Sequence, residues 1–489
     1  MRKVAGSIER WDVFELSLKG PSEGNPFVDV MLEVEFRYQH RTVTVKGFYD
    51  GEGIYKIRFM PDVEGEWTYV IRSNSEQLDG EMGRFTCIPA SPENKGPVRI
   101  QDATTFVYED GSPYTPIGTT CYVWAHQKEQ IQKETLRTLK NSPFNKIRMC
   151  VFPKRYSFNE NEPEYFPFQG NREKGFDLTR FNPAYFNHLE ERILELQLLG
   201  IEADLILFHP YDKGHWGFDQ MDPETDAFYL KYIIARLSAY RNVWWSLANE
   251  FDFMKAKTMN HWDQLFRIVV DNDPYHHLRS IHNGTRMYDY TQLTLYDHHK
   301  PWVTHVSLQH WDLAQMHHWI KLYNKPVIID ECGYEGNLPD RWGNLTPEDM
   351  VERFWAGFMR GGYVGHGETY LNPNDIIWWS KGGKLVGESL ERITFLQNIL
   401  EDIPAKAGLI EAFYDVPTIG IKGEYYLQYF GTHRPAYRKI SLPEDGNFNI
   451  DIIDTWNMTI SNLEGSYSGI TRIDLPGKPY TAIRVQQAI

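Results

Sequence analysis

The stretch Val243-Trp244-Trp245-Ser246-Leu247-Ala248-Asn249-Glu250-Phe251-Asp252 decides how the fold is read. A short, largely apolar run ends in an Asn-Glu pair. Such a run, bounded by polar residues, predicts a strand buried on both faces, as in a parallel sheet covered by helices. A second segment repeats the plan: Lys325-Pro326-Val327-Ile328-Ile329-Asp330-Glu331 is a β-branched run that ends in a carboxylate. Carboxylates at the carboxyl ends of buried parallel strands stand where a (β/α)8 barrel carries out its chemistry.

Around these two segments strands and helices alternate. Further strands are expected at Pro116–Thr120, Lys146–Val151, Ile201–Phe208, Arg279–His282, Thr304–Gln309 and Gly362–Gly365. One helix is well marked: Asn182 is its N-cap, Pro183 its first residue, and Gly200 closes it. Phe186, Leu189, Ile193 and Leu196 fall on one face of it. Others are expected at Glu224–Ser238 and after Thr346-Pro347. This alternation fits a (β/α)8 barrel. The open doubly wound sheet is the alternative, but no Gly-rich phosphate turn follows the first strand. Before and after the barrel the pattern becomes β. Thr42–Lys46, Tyr55–Phe59 and Trp67–Ile71 alternate, as do Glu424–Phe430, Asn449–Ile453 and Thr481–Val485. The chain therefore divides into an N-terminal β-sandwich (1–95), an α/β TIM barrel (96–404) and a small C-terminal β-sandwich (405–489).

Composition narrows the partners. A formal net charge of −15 argues against nucleic acid or an anionic membrane surface, since both call for a basic face. No run is long enough to span a bilayer, and the N-terminus MRKVAGSIERWDVFEL has no apolar signal core, so a cytoplasmic location is expected. Four scattered cysteines without a CxxC pair read as buried fillers rather than zinc ligands. Seventeen His invite a metal reading, but Trp124-Ala125-His126-Gln127 carries a lone His where a barrel metallohydrolase would show His-x-His. Neither metal nor cofactor is expected, and oligomeric state is left open.

Cleaving a glycosidic bond needs one carboxyl to protonate the leaving oxygen and a second to attack the anomeric carbon or activate water. Glu250 is the candidate acid, in an apolar setting attributed to Trp244, Trp245 and Leu247, and Glu331 is the candidate nucleophile. Asn249 could hold the sugar hydroxyl beside the anomeric carbon. Trp124, His126, His209, Trp216, His282, Asn283, His310 and Trp311 fall near expected strand ends and could line a sugar cleft. A carbohydrate is the substrate class this constellation suits.

The constellation resembles the clan A glycoside hydrolases, retaining (β/α)8 enzymes. There the acid/base is the Glu of an Asn-Glu pair after strand four and the nucleophile a Glu ending strand seven. Asn249-Glu250 and Glu331 match residue by residue, and Arg148 and His209 resemble the clan's supporting Arg and His. Phe48-Tyr49-Asp50-Gly51, Glu64-Gly65-Glu66-Trp67, Tyr334-Glu335-Gly336 and Asp454-Thr455-Trp456-Asn457-Met458-Thr459 look like a three-part bacterial family of cellulase-like or apiosidase-like glycoside hydrolases. The resemblance covers essentially the whole chain. It implies the reaction class and leaves the sugar open. Two departures stand out. Gln309-His310-Trp311 occupies the place where the clan often has a strand-six Tyr, and Glu368 stands near the usual strand-eight Trp. The competing hypothesis is a non-catalytic carbohydrate-binding protein on a glycosidase-like barrel. Carboxyl groups about 5–5.5 Å apart fit a retaining enzyme, and a wide gap fits binding alone.

Overall fold

The computed structural model describes residues 6–488 except Arg286, Tyr290, Gln292, Ala412 and Tyr414. At its centre eight parallel strands form one sheet: β1 Gly118–Thr120, β2 Lys146–Cys150, β3 Glu202–Phe208, β4 Val243–Ala248, β5 Arg279–Ser280, β6 Val306–Gln309, β7 Val327–Glu331 and β8 Tyr363–His366. Neighbours pair in the order β5-β4-β3-β2-β1-β8-β7-β6, so β5 and β6 meet at the remaining seam. That seam is stitched individually. The Thr304 amide donates to Arg279 O at 2.9 Å. The Asn283 side chain accepts from Gln309 N at 3.1 Å and donates to Gln309 O at 3.2 Å. Side-chain amides thus take the place of a ladder where β5 is only two residues long.

The helices form for the reasons their sequences give. The longer ones are α1 Glu129–Lys140, α2 Pro183–Leu198, α3 Pro223–Leu237, α4 Met259–Asn272, α5 Met316–Tyr323, α6 Pro347–Phe358 and α7 Ser389–Glu401. Asn182 caps α2 through the Ala184 amide, Asp222 caps α3 through Thr225, and Thr346 caps α6 through Asp349. The α2 face Phe186, Leu189, Ile193 and Leu196 is buried as its spacing predicts. Among the described residues no α-helix separates β5 from β6, and no helix is long and apolar enough to cross a membrane. All four cysteines are buried free thiols.

The amino-terminal mouth of the barrel is closed by a small antiparallel sheet, Val98–Ile100, Phe106–Tyr108 and Pro113–Tyr114, which the sequence reading missed. Phe106 and Tyr114 pack on Trp244 with ring centroids 5.6 and 6.0 Å away. Trp244 is therefore a wedge in the barrel floor. Trp245, the next residue, points the other way and donates to Asp273 at 3.0 Å.

The flanking β regions dock on the outer helices. The N-terminal one holds a five-stranded and a three-stranded sheet. Its Arg58 and Asp50 join Glu190 of α2 and Arg236 of α3 in a buried ion network, with Arg236–Glu190 at 2.6 Å and Arg236–Asp50 at 2.7 Å. The C-terminal region has a six-stranded sheet. Arg392 of α7 lies 4.1 Å over the Trp456 ring, and Trp355 of α6 packs 5.1 Å from Tyr429. Replacing the floor wedge, Trp244→Ala, is expected to cost about 3–5 kcal/mol, read as a marked fall in thermal midpoint. An unchanged midpoint would mean that the floor sheet does not brace the barrel.

Candidate active site

Glu331 is the last residue of β7, and Glu250 lies two residues beyond β4. Glu250 takes a left-handed backbone conformation, φ 50 and ψ 50, which is strained for a residue with a Cβ. The flanking backbone fixes it. The His282 amide donates to Ala248 O, and the Phe251 amide to His282 O, each at 3.0 Å. A glycine gives it room: a Cβ on Gly284 would stand 2.6 Å from Glu250 Cγ. Asp252 then clamps this loop through the amides of Gly284 and Thr285 at 2.7 and 2.9 Å.

Gln309 joins the two carboxylates. An amide oxygen facing both would be repelled, so the nitrogen faces them and donates to Glu331 Oε2 and Glu250 Oε1, each at 3.2 Å. Those two oxygens thus lie at most twice that distance apart. A register shift between Ser307 and Gln309 in the β6–β7 ladder aims Gln309 here, and Asn283 holds its backbone.

The other partners divide unequally. Glu331 Oε1 accepts from the Tyr122 hydroxyl and from Arg148 Nη1 at 3.2 Å, with His282 Nε2 at 3.5 Å. Glu250 Oε2 is bonded to the Tyr211 hydroxyl and accepts from Asn249 Nδ2 at 3.1 Å, but has no ion-pair partner among the described residues. Burial pushes the Glu250 carboxyl up, the Glu331 charge pushes it further, and it reaches about 7. Burial also opposes charge on Glu331, but His282, Arg148 and the Tyr122 hydroxyl overcome it and hold that carboxyl well below the usual range. Beneath the pair, Lys146 bridges Asp204 at 2.7 Å and Asp330 at 2.9 Å. Ser307 links Asp330 to His282 Nδ1, at 2.5 and 3.1 Å. The arrangement offers one protonated and one ionised carboxyl at a single cleft.

The remaining sequence candidates scatter. The apolar setting ascribed to Trp244, Trp245 and Leu247 lies elsewhere, because two of those rings face the floor and the helix shell. Glu250 is instead enclosed by Tyr211, Gly284, Asn249 and Gln309. His209 spends both ring nitrogens on backbone, facing Phe152 O and the Tyr211 amide, and so braces Tyr211 rather than a sugar. Trp124 is fully buried in the core, and His126 faces Cys150 O and stacks on Tyr185. Trp216 donates to Glu162, and His310 faces the Asp312 backbone with Trp319 on its edge. Trp311 is half-buried, under Arg353 at 3.9 Å and beside Tyr288. Glu368 is committed to the amides of Val386 and Gly387 at 2.7 and 2.8 Å, away from the pair. Burial and the neighbouring Glu335 push its carboxyl up to about 7. Glu335, His366 and Glu368 bring ligand-type atoms within 4.8 Å of one another, but Glu335 is likewise taken by the Glu388 and Ser389 amides. These carboxylates serve the amino end of α7 first.

Sequence reasoning missed Tyr122, Tyr211, Lys154 and Gln309. The first three lie two to four residues beyond β1, β3 and β2, and Gln309 ends β6. The rule that singled out the glutamates would have flagged them too. A tyrosine hydroxyl, that of Tyr122, reaches Glu331 from the β1 side.

With this geometry in hand the chain can be placed among known proteins. The family described as apiosidase-like, catalytic domain, matches residues 101–402, and two domain families of unknown function match residues 7–74 and 414–486. A candidate glycoside hydrolase from Bacteroides vulgatus ATCC 8482 is 42% identical over 99% of this chain and all of that one, with a TM-score of 0.94. A family 5 glycoside hydrolase from the same organism shares the fold at 15% identity, with a TM-score of 0.60 over 82% of this chain and 94% of that one. No curated protein matches. The chain belongs to the apiosidase-like catalytic-domain family and is a glycoside hydrolase of the clan A fold.

Proposed function

We propose that the protein cleaves β-glycosidic bonds of a plant-type oligo- or polysaccharide by double displacement, with retention at the anomeric carbon. Glu331 attacks that carbon while Glu250 gives its proton to the departing oxygen. Glu250 then takes a proton from water as the glycosyl–Glu331 ester is hydrolysed. The supporting observation is the Gln309 bridge. Carboxyl oxygens at most twice 3.2 Å apart fit the about 5–5.5 Å spacing of retaining enzymes better than the about 6.5–9.5 Å of inverting ones. The unequal surroundings supply the two roles, since the acid must hold a proton that the nucleophile must lack.

Glu331→Ala is expected to lose nearly all turnover and to regain part of it with azide, and Glu250→Ala to keep activity only toward glycosides with good leaving groups. Full activity in either variant would overturn the assignment.

Activity should fall as pH rises through about 7, where Glu250 loses its proton. The Tyr211 hydrogen bond lowers that carboxyl, so Tyr211→Phe should move the alkaline limb of kcat/KM to higher pH. A downward move, or none, would place the limb on another group.

Gly284→Ala drives a methyl against Glu250 and is expected to lower kcat at least about tenfold, as small misplacements of reacting groups do, with unchanged circular dichroism. Wild-type kcat would show that Glu250 need not sit where Gly284 lets it.

A further inference from the structure

Four lysines are buried: Lys146, Lys154, Lys257 and Lys381. Three of them carry a carboxylate. Lys146 has Asp204 and Asp330, Lys257 has Asp226, and Lys381 has Asp375. Lys154 has none. Among the described residues its Nζ makes no hydrogen bond and no ion pair, although the residue is only 2% exposed. Aromatic faces surround it instead. The ammonium lies 3.4 Å from the Tyr122 ring centroid, 4.1 Å from Tyr211, 4.5 Å from Tyr156 and 5.5 Å from Trp379. Such rings attract a cation but leave its three N–H donors without acceptors.

Its place is as telling as its isolation. Two of the four rings are those whose hydroxyls touch the catalytic pair, Tyr122 on Glu331 and Tyr211 on Glu250. The ammonium is thus one ring away from each carboxylate. The Trp379 ring of this cage packs in turn against Tyr334, with ring centroids 5.7 Å apart. Glu250 and Glu331 attract the ammonium from beyond the rings without touching it; a neutral sugar hydroxyl could satisfy a donor, whereas an anion would also pair with the charge directly.

We infer that Lys154, in its cage of Tyr122, Tyr156, Tyr211 and Trp379, recognises an anionic substituent, a carboxylate or a sulfate ester, on the sugar that enters the cleft. The inference rests on the hydrolase reading of that cleft and names its substrate class as acidic glycans. In this reading Lys154 is a specificity residue.

The test measures binding to the full-length protein by calorimetry. The probes are D-glucuronate and D-galacturonate, D-glucose 6-sulfate and D-galactose 6-sulfate, and neutral D-glucose and D-galactose. Wild type is expected to bind at least one acid at least about tenfold more tightly than its neutral parent. The carboxylate and sulfate arms tell the two substituents apart. In Lys154→Met the preference should vanish while the thermal midpoint and near-ultraviolet spectrum hold, and Lys154→Arg should restore part of it. No preference in wild type, or an undiminished preference in Lys154→Met, would overturn the inference. An anion preference that depends on Lys154 in a protein that cleaves no glycoside would sink the hydrolase reading alone. Equal kcat/KM on uronides and their neutral counterparts would sink this inference alone.

Discussion

Two buried carboxylates a few ångströms apart resist both remaining charged. At about 6 Å and an effective dielectric of about 20, like unit charges repel by about 3 kcal/mol, or about two pKa units. Left symmetric, the pair would share a proton without assigning it. This protein breaks the symmetry by partner choice: Arg148, His282 and Tyr122 converge on Glu331, while the groups hydrogen-bonded to Glu250 are uncharged. Gln309 reaches across and fixes the spacing. One site therefore holds an acid and a carboxylate over the same pH range.

Much of the remaining structure keeps that inequality in place. Arg148 stays beside Glu331 because β2 is a central strand of the barrel. His282 is tied through Ser307 to Asp330, and Asp330 to Lys146, so the charge balance below the site is met within the barrel. Gln309 depends on the β5–β6 seam, the least regular junction of the sheet, where Asn283 replaces ladder hydrogen bonds. The outer domains act at longer range. Asp50 from one side and Trp456 from the other engage helices of the barrel shell, and both belong to the sequence motifs that mark the three-part family.

The eight strands and the capped helices were legible in the sequence because each rests on a local pattern: apolar runs for β3, β4 and β7, Asn182-Pro183 and Thr346-Pro347 for helix starts. Glu250 and Glu331 were legible because buried strands deliver the residues at and just beyond their ends to one mouth, and Arg148, in the middle of β2, through the resemblance to the clan. What was not legible depends on long-range packing. The floor sheet around Phe106 consists of strands only two or three residues long, too brief for a periodic signal. Trp124, His126 and Trp216 sit at strand ends by number, yet the chain turns them into the core or toward Glu162. Strand-end position says which loop a residue joins and not which way its side chain faces. The place of Lys154 just beyond β2 was legible, but its meaning was not, since that lies in rings brought together from separate parts of the chain.

The division of labour at the site turns on which of the two carboxyls keeps its proton. The direct measurement is a pH titration of the protein labelled with ¹³C at the glutamate carboxyls, compared with Glu250→Gln and Glu331→Gln. Burial also pushes Glu368 up to about 7 and Glu202 up to about 8, so the expected result is one near-neutral resonance lost in Glu250→Gln and moved to lower pH in Glu331→Gln, where the repelling charge is gone. A near-neutral resonance that survives in Glu250→Gln and vanishes only in Glu331→Gln would reverse the roles and contradict the account.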